Sequence, residues 1–296
     1  MALHPLSPRA IAGAQAVLGL LDRSAVMTIA RPPAHPPTPA RRRLSLRWLV
    51  SGASVAALLL AWYLATGPLE LLSAVQLPSP VDAWDALREI AGEGYADGTL
   101  LQHIAASSML VLYGFAAAAL TGVPLGILMG QSRLVEAYVN PVFQIIRPIA
   151  PIAWIPLTIL WFGLGTSAKV FVIWLAAFAP TVINTYTGVR NIDDTLIQAA
   201  RVNGAAGRLM LLDVIVPGAL PAIFTGLRTS LQACWMVLVA AELVGSFVGL
   251  GHVLIIATRD LNSGMIVVAM AAVAGMGMLM SALLAQVERR VMPWKA

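Results

Sequence analysis

Ile104-Ala-Ala-Ser-Ser-Met-Leu-Val-Leu-Tyr-Gly-Phe-Ala-Ala-Ala-Ala-Leu-Thr-Gly-Val-Pro-Leu-Gly-Ile-Leu-Met-Gly-Gln131 contains no Asp, Glu, Lys or Arg. A helix needs about 20 mostly apolar residues to cross about 30 Å of hydrocarbon, and this stretch exceeds that length. It lacks the strict alternation of a barrel strand, so the reading is a membrane-crossing helix. The same count finds Trp48 to Gly67, Pro148 to Ala168, Val170 to Val189, Val214 to Ala241 with Arg228 inside it, and Leu261 to Val287. Only Lys169 separates the third and fourth of the six. Leu243 to Thr258 is also uncharged, but it is short and carries Gly245, Gly249 and Gly251. It reads as a loop or re-entrant piece that does not cross.

Composition agrees with that reading. Of 296 residues, 59% are hydrophobic and 11% charged, and the mean hydropathy is +0.81. A soluble domain carries about 25% charged residues. Too few charges remain here to cover a water-facing surface, which excludes an ordinary soluble enzyme, a disordered chain and a disulfide-built secreted module. The one cysteine, Cys234, forbids an internal disulfide and argues against a thiolate metal cage. The fold class is therefore all-α and polytopic, with six transmembrane helices.

Basic residues orient such a chain. With the N-terminus in the cytoplasm, the tail, the 132–147 loop, the 190–213 loop and the C-terminus hold 15 of the 19 Lys and Arg. Arg88, Lys169 and Arg259 fall outside, and Arg228 lies within a span. Both termini are expected in the cytoplasm. The first outer loop is acidic, and Ser79-Pro80 followed by Val81–Ala91 reads as a capped amphipathic helix. Residues 1–43 form a basic, proline-rich extension expected to be disordered, and Met1 and Met27 are both candidate starts. The remaining divisions are the first span over 44–67, an external loop over 68–103, a transmembrane domain over 104–290 and a tail over 291–296.

The 190–221 segment carries function. It reads Arg190-Asn-Ile-Asp-Asp-Thr-Leu-Ile-Gln-Ala-Ala-Arg-Val-Asn-Gly-Ala-Ala-Gly-Arg-Leu-Met-Leu-Leu-Asp-Val-Ile-Val-Pro-Gly-Ala-Leu-Pro221. Asp193, Asp194 and Thr195 suit a helix N-terminus. Leu196, Ile197 and Ala200 give that helix an apolar side, and Gly204 permits a turn and close backbone approach. Leu209, Leu212, Ile215 and Val216 continue a second apolar stripe, and Pro217 and Pro221 mark the start of the fifth span. By physics alone, a helix on the lipid headgroups and a docking helix for a cytoplasmic partner both fit.

Gln198-Ala199-Ala200, three residues, Gly204, then Ile215-Val216-Pro217 leading into a span resemble the EAA loop of ABC-importer permeases. Leu220-Pro221-Ala-Ile-Phe-Thr-Gly-Leu-Arg228, Val239-Ala-Ala-Glu-Leu243, Gly249-Leu-Gly251 and Pro293-Trp294 fit the same group. Together they resemble the nitrate/sulfonate/taurine-type branch of binding-protein-dependent permeases, over roughly residues 104–294. The resemblance implies a five-helix core, a homodimer around a central pathway, a cytoplasmic ATPase dimer and an extracytoplasmic solute-binding protein, all at a bacterial inner membrane. It implies that Asp194, Leu196, Gln198, Ala199, Ala200, Asn203, Gly204 and Ala205 meet the ATPase. Gln198 stands where the family has glutamate, keeping the length but not the charge. No P-loop is present, so ATP is bound by the partner and the chain is expected to hold no cofactor and to be no enzyme.

Counted from Pro217, Arg228 lies about 16 Å into the bilayer. It is expected to face protein or water, either lining the path of an anion or packing against a carboxylate or carbonyl. Glu242, near the outer end of the same span, either caps a gate, holds the Gly245–Gly251 segment or packs. Trp154, Trp161 and Trp174 suit interface anchoring better than an aromatic site, and Met270, Met276, Met278 and Met280 read as adaptable packing. His4, His35, His103 and His252 have no metal spacing, no Gly-x-Ser-x-Gly elbow occurs, and no nucleic-acid partner is expected. The functional expectation is import of a small solute, an anion such as a sulfonate, taurine or nitrate. The alternative is an ion-coupled secondary transporter without an ATPase, which the scarcity of intramembrane acids disfavours.

Overall fold

The computed structural model describes residues 43–67, 73, 76–243 and 245–295, and the expected disordered extension lies almost wholly outside them. Chain contacts divide the protein into two units, Met1–Leu58 and Leu59–Ala296. Helix α1 (Arg43–Thr66) runs across that division. In the second unit follow α2 (Pro80–Gly92), α3 (Leu100–Gln131), α4 (Arg133–Ile146), a 3-10 turn (Pro151–Trp154) and α5 (Ile155–Phe162). The remaining helices are α6 (Thr166–Arg190), α7 (Asp194–Val202), α8 (Gly207–Leu243), α9 (Leu250–Arg259) and α10 (Ser263–Val291). No strand occurs among the described residues.

Among the described residues α3, α6, α8 and α10 are long and apolar enough to cross a membrane. A fifth crossing exists if α4 and the Pro151–Phe162 piece, bent by 85°, form one broken span. The apolar stretch described for α1, Val50–Thr66, is shorter. The expected third span over Pro148–Ala168 is thus not one helix. Its start bends at a Pro148/Pro151 pair, and its end breaks at Gly163, whose φ of 75° terminates α5. The next helix begins at Thr166, so Lys169 lies in the first turn of α6 and does not separate two spans. The expected 132–147 loop is mostly α4, N-capped by Ser132 onto the N–H of Val135.

Small residues fix the core pair. Gly114, Ala118, Gly122, Gly126 and Gly130 repeat every fourth residue on α3 and meet Ile173, Ala177, Thr181, Thr185 and Val189 on α6. The register advances equally on both helices, so the two run in the same direction. A Cβ on Gly126 would lie 2.6 Å from Cβ of Thr185, and one on Gly130 would lie 2.6 Å from Cβ of Val189. Only glycine lets these backbones approach so closely, which is how apolar helices associate where lipid is as apolar as their side chains. α8 packs antiparallel on the other side of α6, with Gly188 against Ala222 and Gly226 against Asn184. Thr181 and Ser230 share a buried hydrogen bond of 2.7 Å there. Leu110, Val111, Ile173, Leu231, Cys234, Trp235 and Leu238 fill the space between the three helices.

α10 runs antiparallel to α8, so the C-termini of α3, α6 and α10 and the start of α8 share one end of the bundle. That end carries Arg190, Arg208, Arg289 and Arg290. At the opposite end α2 has the N-cap expected at Ser79, and Asp82 completes it as a reciprocal capping box. Ala86 and Ile90 of α2 pack with Val253 and Ala257 of α9 and Met265, Val268 and Ala269 of α10. The Leu243–Thr258 stretch does not cross; it holds the ten-residue α9.

Candidate functional site

Helix α7 is closed by hydrogen bonds of its own at both ends. Asp193 accepts the backbone N–H of Thr195 at 2.8 Å, and that bond holds its carboxyl below the usual aspartate range. Asp194 in the first turn answers the helix dipole. The helix closes in a Schellman turn: the N–H of Ala205 reaches the carbonyl of Ala200 and that of Gly204 reaches Arg201, both at 3.0 Å. Gly204 adopts φ +84°, the left-handed geometry that turn requires. Asn203 Nδ2 donates to the carbonyl of Ala199 at 2.8 Å, so this side chain reinforces the same turn.

The turn at Gly204 is as expected, but no chain atom lies within 4 Å of where its Cβ would stand. Besides allowing the left-handed turn, the small residue therefore leaves open space on the side where a side chain would stand. No residue of α7 is buried. Leu196 is 50% and Val202 88% exposed, and Gln198 and Ala199 are exposed as well. Ala200 and Ala205 are half-buried. Exposed apolar side chains on a capped helix form a surface that another body can cover.

The second expected short helix is no separate element. It begins at Gly207 and continues without interruption through Pro217 and Pro221 to Leu243. A π turn at Leu211–Ile215, in which the N–H of Val216 bonds the carbonyl of Leu211, precedes Pro217. Widening the helix there makes room for a proline ring that would strike the preceding turn. The turn that closes α7 is thus followed directly by one continuous helix of 37 residues.

At the far end of that rod Glu242 is 1% exposed. It accepts from Ser107 Oγ at 2.7 Å and from the N–H of Gly251 at 2.8 Å. Ser107 Oγ in turn accepts the N–H of Leu250 at 2.8 Å, and His103 Nδ1 accepts that of Gly249 at 3.0 Å. Glu242 thus holds the Gly245–Gly251 segment, one of the roles open to it from sequence. Lys169 Nζ donates to Ser246 Oγ at 3.0 Å on the same segment. Sequence reasoning missed His103 and Ser107 as partners, although their spacing of four in an apolar span was the available signal. Outside this node Tyr95 donates to Asp260 at 2.6 Å, and burial and that carboxylate raise its phenol above the ordinary range.

Arg228 pairs with Glu288. Glu288 lies in the last turn of α10 beside Arg289 and Arg290, so Arg228 is level with the basic end of the bundle. Of the two roles open to Arg228 from sequence, pairing with a carboxylate is the contact present. Trp161 meets Phe171 edge to face and Trp174 meets it tilted, with centroids at 6.2 and 5.2 Å, and Trp174 continues to Phe178 at 5.0 Å. Trp154 takes no part in this ladder.

The whole bundle and its protruding loop have counterparts. Residues 122–293 match the family described as binding-protein-dependent transport system inner membrane component. The taurine transport system permease protein TauC of Escherichia coli is 38% identical over 260 residues, covering 86% of this chain and 94% of that protein. A putative aliphatic sulfonates transport permease protein of Bacillus subtilis, SsuC, is 34% identical, covering 87% and 91%. The nitrate import permease protein NrtB of Leptolyngbya laminosa is 35% identical, covering 72% and 76%. Family membership makes the chain a membrane permease subunit and not itself an enzyme. The polytopic helical chain belongs to the binding-protein-dependent transport system inner membrane components, the membrane subunits of ABC transporters.

Proposed function

We propose that this chain forms the pathway of an ATP-driven importer and that α7 is the helix through which a separate cytoplasmic ATPase moves it. The observation that carries this reading is the exposed Leu196, Ala199 and Val202 on a helix capped at both ends, which rests against the start of α8 and has no residue buried. A rigid helix of that kind suits a groove on a partner. Asp194, Gln198, Ala200, Gly204 and Ala205 complete the contact, with Gln198 acting as a neutral hydrogen-bonding group. Asn203 serves it indirectly, by fixing the turn.

ATP is bound by the partner and no cofactor by this chain. Two copies enclose the pathway, an extracytoplasmic binding protein delivers the solute, and the bundle end bearing α7 lies in the cytoplasm with both termini. The solute is a small anion of the sulfonate, taurine or nitrate kind, the class named for the relatives. ATP-driven closure of the ATPases would push α7, and the continuous α8 would carry that displacement to the Glu242 node, a two-state transition biased by nucleotide.

The test is co-purification with the ATPase. Gly204→Arg places a long cation on the open side of the turn and strains φ +84°. It should abolish recovery of the ATPase while membrane insertion is retained. Normal recovery would overturn the docking role of α7.

A further inference from the structure

We propose that Arg147 and its neighbours form a binding pocket for an organic oxoanion, a short-chain sulfonate, at the basic end of the bundle. The proposal rests on the importer reading and names a place for its cargo. A cavity of about 550 Å³ lies where the bend after α4 faces the last turns of α6. Arg147, Asn140, Gln144 and Thr187 give it polar groups, while Phe143 and Val182 belong to its apolar wall. No acidic side chain lines it.

The cavity is open to the surface, with Arg147, Gln144 and Thr187 exposed on its rim and no carboxylate among its lining residues. The Glu136 carboxylate on α4 is occupied elsewhere: it accepts from Tyr186 Oη at 2.5 Å and pairs with Arg190 at 3.4 Å. Gln144 Nε2 donates to Asn140 Oδ1 at 3.3 Å, which orients the Asn140 amide and leaves its own N–H donors unused. The Arg147 guanidinium has no hydrogen-bond or carboxylate partner among the described residues. An arginine fork, an amide and a hydroxyl supply several donors for the three oxygens of a sulfonate. The apolar wall suits a short alkyl stem, a feature that inorganic nitrate would leave unused.

The experiment uses the full chain in nanodiscs and radiolabelled butanesulfonate as probe. Wild-type protein should bind it saturably in phosphatidylcholine discs. Arg147→Gln should weaken binding about tenfold or more, the loss expected for a charge-assisted contact. Arg147→Lys should recover part of it, and Arg133→Gln, the same charge change on the same helix outside the cavity, should leave it unchanged. Equal binding by wild type and Arg147→Gln, with both monodisperse and equally heat-stable, would overturn the proposal. So would Arg147-dependent retention of phosphatidylglycerol by discs that bind no butanesulfonate, which would make the occupant a lipid headgroup. ATP-driven uptake by vesicles containing the ATPase separates the two readings. Equal uptake by wild type and Arg147→Gln removes the pocket and leaves the importer. Arg147-dependent binding without any ATP-driven uptake upholds the pocket and removes the importer.

Discussion

Glu242 Oε2 accepts the backbone N–H of Gly251 at 2.8 Å, joining the end of α8 to the start of α9 through a fully buried carboxylate. The same carboxylate lies against Gly249, and a Cβ on Gly251 would stand 2.7 Å from Cβ of Glu242. The glutamate and the two glycines are therefore one device: the acid supplies the acceptor, and the glycines let the backbone reach it.

Replacing Glu242 by Ala leaves the Ser107 hydroxyl and the Gly251 N–H without their acceptor. Each orphaned buried donor costs about 1–3 kcal/mol. The thermal midpoint in detergent should fall markedly, and Glu242→Gln, which keeps one acceptor oxygen, should fall less. Equal midpoints for Glu242→Ala and wild type would remove the structural role.

Gly126→Val drives side-chain atoms into Thr185 and the carbonyl of Val182. Overpacking of this kind costs about 1–3 kcal/mol. The unfolding midpoint should drop, whereas Gly275→Ala on α10, where nothing lies within 4 Å, should leave it nearly unchanged.

Asp193 caps α7 more strongly when ionised, because a carboxylate is the better acceptor and answers the helix dipole. Its pKa is depressed in the folded state, so the cap contributes above the ordinary aspartate range and is lost as pH falls through the lowered value. Amide hydrogen exchange at Leu196 and Ile197, corrected for intrinsic rates, should speed up on acidification below that range. Asp193→Asn, itself a competent cap, should flatten this dependence, and Asp193→Ala should lower ATPase recovery.

Arg228 and Glu288 form a pair whose arginine side chain is 47% exposed, so their coupling should stay below about 1 kcal/mol. If Arg228 packs, Arg228→Gln and Glu288→Gln lower folded yield alike, and exchanging the two charges restores it. If Arg228 instead meets an anionic solute, Arg228→Gln lowers uptake at normal yield and the exchanged pair does not recover transport.

Composition and uncharged runs by themselves determined that this is an all-helical membrane protein, because hydrocarbon tolerates few charges and no unpaired backbone. The capped α2, the turn at Gly204 and the family resemblance were legible too, since caps and EAA spacing are local patterns in the chain. The broken third span was not legible, because a run of apolar residues reads the same whether or not Gly163 turns it. Nor was the continuity of α8 through Pro217, which depends on a π turn that no residue announces. Glu242 meeting Ser107, Arg228 meeting Glu288, and Arg147 left facing a cavity were decided only in three dimensions. Helix packing brings together groups 135 and 60 residues apart, and no spacing along the chain encodes which faces meet.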